Sequence, residues 1–252
     1  MAARPVALLW DVDGTLAETE LEGHRLAFNR AFAEAGDPWC WDRPLYLELL
    51  RISGGRERLS AFLRQAEGTA PSLRRVEALQ SAKQRHYTAL VAAGELVLRP
   101  GVARLMAAAA DAGLVQAIVT TSGRPAVAAL LERLLPERLA DLQLRICGED
   151  VQRKKPDAEA YRQALARMDL PAGAVLAIED SGNGVAAACS AGLAVLVTRS
   201  AASAVEPEQA FKAAAAQVDH LGDPGQPCAV LQGPACPQGQ VTLSWLEQLL
   251  QS

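Results

Sequence analysis

One short apolar run, Pro5-Val6-Ala7-Leu8-Leu9-Trp10, ends abruptly in Asp11-Val12-Asp13-Gly14-Thr15-Leu16, and nothing strand-like follows until Val115. A run of this kind is the pattern of a strand covered on both faces, as in a parallel sheet. Its partner strands must therefore come from far along the chain. Between about residues 18 and 93 amphipathic helical patterns take over. Leu26, Arg30 and Ala33 form one stripe, and Phe28, Phe32 and Ala35 another. Further helical runs cover 46–50, 57–63 and 76–91, with turns at Gly54-Gly55 and at 68–72.

After Pro100-Gly101 the rhythm changes. Predicted helices at 102–112, 125–135, 158–168 and 185–191 alternate with predicted strands at 115–119, 142–147, 174–178 and 194–197. Helices and strands alternating through short links mean parallel strands joined by crossovers. The expected fold is α/β: a Rossmann-like doubly wound parallel sheet core over 1–16 and 95–252, with an inserted all-helical cap domain over 17–94. The stretch 223–240 is dense in Gly and Pro and reads as an irregular surface segment before a last helix at 243–250.

Composition narrows the function classes. The charge sum, 25 − 29 = −4, argues against a broad nucleic-acid surface, which needs clustered positive charge. The longest apolar stretch is broken by Arg104 and Asp111, short of the ~18 residues of a membrane span. Residues 1–5 lack the charged, apolar and small-residue succession of a signal peptide. Five cysteines, with no C-x-x-C pair, suggest neither a disulfide framework nor a thiolate zinc site. The expectation is a monomeric, cytoplasmic protein, or a stromal one where a transit peptide has been removed, without nucleic-acid or membrane partners.

In an open parallel sheet, ligands bind beyond the carboxyl ends of the strands. Those ends carry Asp11 and Asp13, then Thr120, then Glu179 and Asp180, while Lys155-Pro156 opens the intervening helix. Each has a plain structural alternative. Asp-x-Asp-Gly suits a turn, Thr120 and Glu179-Asp180-Ser181 suit helix N-termini, and Lys155 alone suits a solvated surface. Their equivalent topological positions favour chemistry. Carboxylates gathered on a sheet edge repel one another unless a cation sits among them, and hard oxygen ligands suit magnesium.

In this order, Asp11-Val12-Asp13-Gly14-Thr15-Leu16, Thr120, Lys155-Pro156 and Glu179-Asp180 resemble the four motifs of the haloacid-dehalogenase superfamily of phosphotransferases. A helical insert after the first motif is similar to the subgroup of β-phosphoglucomutase and many sugar-phosphate phosphatases. Within it, Ala17-Glu18-Thr19-Glu20, the stretch from Gly23 to Asn29, Trp41-Asp42, Gly54-Gly55-Arg56-Glu57-Arg58, Leu98-Arg99-Pro100-Gly101 and Lys154-Lys155-Pro156-Asp157 resemble the CbbY branch. That branch is known for dephosphorylating xylulose 1,5-bisphosphate, an inhibitor of Rubisco. The resemblance implies a Mg²⁺-dependent sugar-bisphosphate phosphatase. Asp11 would be the nucleophile and Asp13 the acid, then the base, with Thr120 and Lys155 neutralising charge. Asp11, the backbone carbonyl of Asp13 and Asp180 would hold the ion, with Glu179 direct or through water. Glu18, His24, Arg56, Arg58, Thr121 and Ser122 are the substrate-binding candidates, because arginine suits bidentate phosphate recognition.

The chain departs from the branch at Arg56, where lysine is usual, at Gly123-Arg124-Pro125, where relatives carry Asn or Ser, and at Trp10, where Phe is common. A sugar-phosphate mutase shares every core residue. A phosphonate hydrolase needs a cap lysine, and Lys83 stands outside the expected position. Gly182-Asn183-Gly184-Val185-Ala186-Ala187 resembles a dinucleotide fingerprint, but Glu179-Asp180 just upstream would repel a pyrophosphate.

Overall fold

The computed structural model describes residues 5–250; the expectations for residues 1–4, including the missing signal-peptide pattern, lie outside the described residues. β1 (Ala7–Trp10) is followed, after Ala17, by helices α1 (Arg25–Ala35), α2 (Arg43–Leu49), α3 (Gly55–Glu67) and α4 (Leu73–Ala92). The chain then alternates: α5 (Val102–Asp111), β2 (Val115–Val119), α6 (Arg124–Leu134), β3 (Leu142–Ile146), α7 (Glu159–Met168), β4 (Val175–Glu179), α8 (Gly182–Ser190) and β5 (Ala194–Thr198). Two short strands, β6 (Ala216–Val218) and β7 (Val230–Gln232), and α9 (Leu243–Leu249) complete it.

The strands form one sheet of order β3-β2-β1-β4-β5-β6-β7, parallel except for β7, which runs antiparallel to β6. Side chains alternate between its faces with the period of two that a strand imposes. Leu8, Trp10, Ile118, Ile178 and Leu196 enter one apolar cluster, while Ala7, Leu9, Val119, Ala177 and Val197 enter the other. The tryptophan before Asp11 is accommodated because its indole N–H donates to Gln116 Oε1 at 3.1 Å, so this buried donor is paired. Strand order reverses at β1 and β4, so the crevice of this open sheet opens beyond their carboxyl ends.

The helical insert has its own core of Phe28, Phe32, Trp41, Tyr46, Leu59, Leu63, Val76 and Leu79. Its two connections to the sheet run side by side, since Ala17 bridges Leu98 and Arg99 N donates to Leu16 O at 2.8 Å. Asp42 caps α2 through Leu45 N, and Ser72 caps α4 through Arg75 N.

Three details depart from the sequence reading. β4 is shifted by one residue and includes Glu179. α8 starts three residues early, because the Ser181 side chain accepts from Gly184 N at 3.2 Å and fixes the first turn. The segment 223–240 is not wholly irregular: β7 pairs with β6, helped by Gln217 Nε2 donating to Gln232 Oε1 at 2.7 Å. Among the described residues, no helix is long and apolar enough to cross a membrane.

Candidate active site

The turn after β1 delivers two aspartates. Asp11 N continues the ladder to Ile178 O at 3.0 Å, and Leu16 N then closes on Val12 O at 2.9 Å. Gly14 sits at φ +80°, and a Cβ there would lie 2.0 Å from Asp180 Oδ2. Glycine is required on both counts.

Lys155 reaches the same point from late in the β3–α7 connection. Its buried Nζ donates to Asp11 Oδ1 at 2.6 Å, Glu179 Oε1 at 2.6 Å and Val119 O at 2.8 Å, so all three protons are used. Tyr161 on α7 donates its hydroxyl to the same Glu179 Oε1, and its ring lies 5.2 Å below the ammonium. Ser200 Oγ donates to Asp180 Oδ2 at 2.6 Å. Thr120, buried at the end of β2, accepts from Ser122 N at 3.1 Å through its hydroxyl.

Asp11, Glu179 and Asp180 are buried, and each offers a carboxylate oxygen within 4.8 Å of the others. Two such charges repel by roughly 3–4 kcal/mol at an effective dielectric near 20. One ammonium cannot offset three carboxylates. Burial, with the charges of Glu179 and Asp13, therefore pushes the Asp11 carboxyl up to about 8 in spite of Lys155. Burial and Asp11 raise Asp180 well above its ordinary value. Burial opposes the Lys155 ammonium, but Asp11 and Glu179 outweigh it and hold its pKa above the lysine range. Glu179 Oε2 is buried with no hydrogen-bond partner among the described residues. A hard divalent cation fits this site: the donors are oxygens, a positive charge is missing, and one buried oxygen is unsatisfied.

Asp13 faces the insert. It accepts from Thr19 Oγ1 at 2.5 Å, from Ser122 Oγ, and from His24 Nε2 at 2.8 Å. Burial opposes ionisation, yet His24, Ser122 and Thr19 together hold the carboxyl well below the usual range. His24 closes a π-helical turn (Glu20–His24) and stacks on Tyr87 with ring centroids 4.2 Å apart. Lys83 stands 2.8 Å from His24 Nδ1. Its distance along the chain had placed it outside the site, but the structure brings it into the cleft, where burial lowers it to about 8.

Two cavities meet here. One of about 830 Å³ contains Asp11, Asp13, Thr120, Lys155 and Asp180. The other, of about 480 Å³, is lined by His24, Arg56, Lys83, Ser122 and Lys154, among others. Thr121 and Arg58 border both. Arg56 pairs with Glu77 at 3.3 Å, and Lys154 of the core pairs with Glu57 of α3 at 2.8 Å. The buried Arg58 guanidinium is engaged within the insert, donating to Tyr46 OH at 3.0 Å and Leu49 O at 3.2 Å, with Glu20 at 3.7 Å. Glu18 is not brought to either cavity. It turns away to Arg99 Nε at 3.2 Å and Ala201 N at 3.3 Å.

Sequence reasoning missed Thr19, Lys83, Tyr161 and Ser200. Lys83 had a signal: it shares the buried stripe of α4 with Val76, Leu79 and Leu90, where a lysine needs a partner. Tyr161 likewise lies on the buried side of α7.

A sequence profile described as haloacid dehalogenase-like hydrolase matches residues 6–192. The protein CbbY of Cupriavidus necator, plasmid-encoded, is 44% identical over 227 residues, covering 88% of this chain and 87% of that one. A crystal structure of CbbY from Rhodobacter sphaeroides in complex with phosphate superposes with a TM-score of 0.80 at 40% identity, over 86% of this chain and 94% of that one. A mutant of the same protein, crystallised with xylulose 1,5-bisphosphate, matches with the same score and identity. With its acidic cluster, lysine and helical insert in the order of that family, the chain belongs to the haloacid dehalogenase-like hydrolases, in their CbbY-like branch.

Proposed function

We propose that the chain is a magnesium-dependent sugar-bisphosphate phosphatase acting on xylulose 1,5-bisphosphate. The observation that carries this reading is the meeting of Asp11, Asp13, Thr120, Lys155 and Asp180 beside a second cavity bearing Arg56 and Lys154. One cavity suits the reacting phosphate, and Arg56 and Lys154 of the other suit a distal phosphate that displaces their partners Glu77 and Glu57. The sugar is suggested by the relative crystallised with xylulose 1,5-bisphosphate.

In this reading Asp11 attacks phosphorus and becomes an aspartyl phosphate, which water then hydrolyses; two easier displacements replace one hard one. Lys155 and the Thr120 hydroxyl neutralise the equatorial oxygens. Asp11, the Asp13 carbonyl and Asp180, with Glu179 direct or through water, would hold a Mg²⁺ ion, which would supply the charge that lets one anion approach another. Asp13 protonates the leaving alkoxide and then takes a proton from water. Its ionised state here suits the second half. For the first it must gain a proton, and His24 Nε2 faces it at 2.8 Å. The helices over 17–94 act as a cap that closes over the sugar and limits water.

The test is a phosphate-release screen of pentose and hexose mono- and bisphosphates, with Mg²⁺ and with EDTA. The expected result is a strong preference for xylulose 1,5-bisphosphate, abolished by EDTA and by Asp11→Asn. A product that is an isomeric sugar phosphate, without net phosphate release, would make the protein a mutase instead.

A further inference from the structure

The Gly/Pro-rich stretch 223–240 lies beyond the residues matched by the family profile and away from both cavities. It is nonetheless tightly folded back on itself. Asp223 N and Gln226 N each donate to the other's carbonyl, at 3.0 and 2.9 Å. Cys228 N donates to Gly239 O at 2.7 Å, and Gly239 N returns to Cys236 O at 3.1 Å. The Trp245 indole N–H holds Ala235 O at 3.1 Å, and Asp219 Oδ1 holds Ala229 N at 2.8 Å. These bonds place Cys228 and Cys236 side by side against the same apolar cluster, half-buried, and near enough that each side chain shifts the other's ionisation.

We propose that Cys228 and Cys236 form a thiol–disulfide exchange site, closing into an intramolecular disulfide with a small disulfide oxidant such as oxidised glutathione and reopening with a dithiol. The observations also give the order of events. Burial raises the Cys236 thiol, while the Cys228 side chain and the Arg104 guanidinium pull it back down, so Cys236 is the more readily ionised of the two. Burial and the neighbouring sulfur keep the proton on Cys228. The Cys236 thiolate attacks one sulfur of the oxidant, forms a mixed disulfide and expels the first glutathione thiolate. Cys228 then loses its proton to solvent, attacks the Cys236 sulfur and expels the second. Two cysteine thiols and one disulfide become one cysteine disulfide and two thiols, so electrons and protons balance. Burial raises both thiols, which makes the exchange slow at neutral pH and faster in alkali. The bond would staple the segment entering β7 to the segment leaving it, raising Tm by a few degrees.

The experiment equilibrates the full chain in oxidised and in reduced glutathione, then alkylates, digests and maps it by mass spectrometry, with melting curves alongside. The expected result is one linked peptide pair, Cys228 with Cys236, a loss of two hydrogen masses, a higher Tm, and full reversal by dithiothreitol. Cys228→Ser is expected to accumulate a glutathione adduct on Cys236, whereas Cys236→Ser leaves Cys228 largely unmodified. Thiols that stay free in oxidised glutathione, or a link to Cys40, Cys147, Cys189 or a second chain, would overturn the proposal. The mapping reads covalent structure alone, so its outcome is independent of the phosphatase reading.

Discussion

Lys83 Nζ lies 2.8 Å from His24 Nδ1, across the imidazole from the Asp13 carboxylate that His24 Nε2 meets at the same distance. An ammonium has only protons to give, so Nδ1 must accept and the ring proton sits on Nε2, aimed at Asp13. Burial lowers Lys83 to about 8, which leaves most of it charged at neutral pH. Lys83→Met keeps the length of the side chain and removes the donor. We expect kcat to fall about tenfold to a hundredfold with KM little changed, since the lysine acts through the ring. Histidine ¹⁵N shifts check the cause: His24 should lose its Nε2–H preference. An unaltered tautomer would mean that Asp13 alone orients the ring.

Arg56 projects into the smaller cavity, with Glu77 at 3.3 Å as its one ion-pair partner among the described residues, and both are about half exposed. Such a pair contributes at most about 1 kcal/mol, so a phosphate dianion can displace it. Arg56→Ala is expected to raise KM for a sugar bisphosphate about tenfold while sparing kcat and sparing a simple aryl phosphate. Equal losses on both substrates would assign the arginine to the architecture of α3 rather than to a distal phosphate.

Tyr161→Phe separates two contributions at Lys155. The ring beneath the ammonium stays, and only the hydroxyl on Glu179 Oε1 goes. The loss should destabilise the fold by about 1–2 kcal/mol, read in denaturant melts. It should also raise the Mg²⁺ concentration needed for half-maximal activity, because Glu179 is then held by Lys155 alone.

Much of this was legible because an α/β sheet places chemistry at strand ends: an apolar run followed by Asp11, Thr120 or Glu179-Asp180 locates both strand and site. The rest depended on relationships that sequence spacing does not carry. β6 and β7 are three residues each and exist through pairing, with no hydrophobic period to read. Glu18 is close to Asp13 in the chain, but the turn sends it the other way, to an Arg99 guanidinium that also binds the carbonyls of Gly14, Thr198, Arg199 and Asp219. Lys83 is far from Asp13 in sequence, and the close packing of α1 against α4 brings it in.

The crowded carboxylates should make stability respond to pH in a direction opposite to ordinary salt-bridged acids. Asp11 is raised from its unfolded value to about 8, so the folded state holds a proton that the unfolded state has already released. Between about pH 4 and 8 the native chain therefore binds more protons, and cation-free stability falls as pH rises. Asp180 is raised too and adds to the same slope. Asp13 is lowered, but its contribution is lost only as the pH falls below the ordinary aspartate range, outside this window. Without a cation, Tm should drop by several degrees from pH 6 to pH 8, each kcal/mol being worth about 2–4 °C at this size. Mg²⁺ bound as proposed would replace the missing positive charge, so its stabilising effect should be larger at pH 8 than at pH 6. Asp180→Asn removes one of the repelling charges. It should flatten the cation-free slope and abolish most of the Mg²⁺ response in the same melting series. A Tm that instead rises with pH in EDTA would show that Lys155 alone neutralises the cluster.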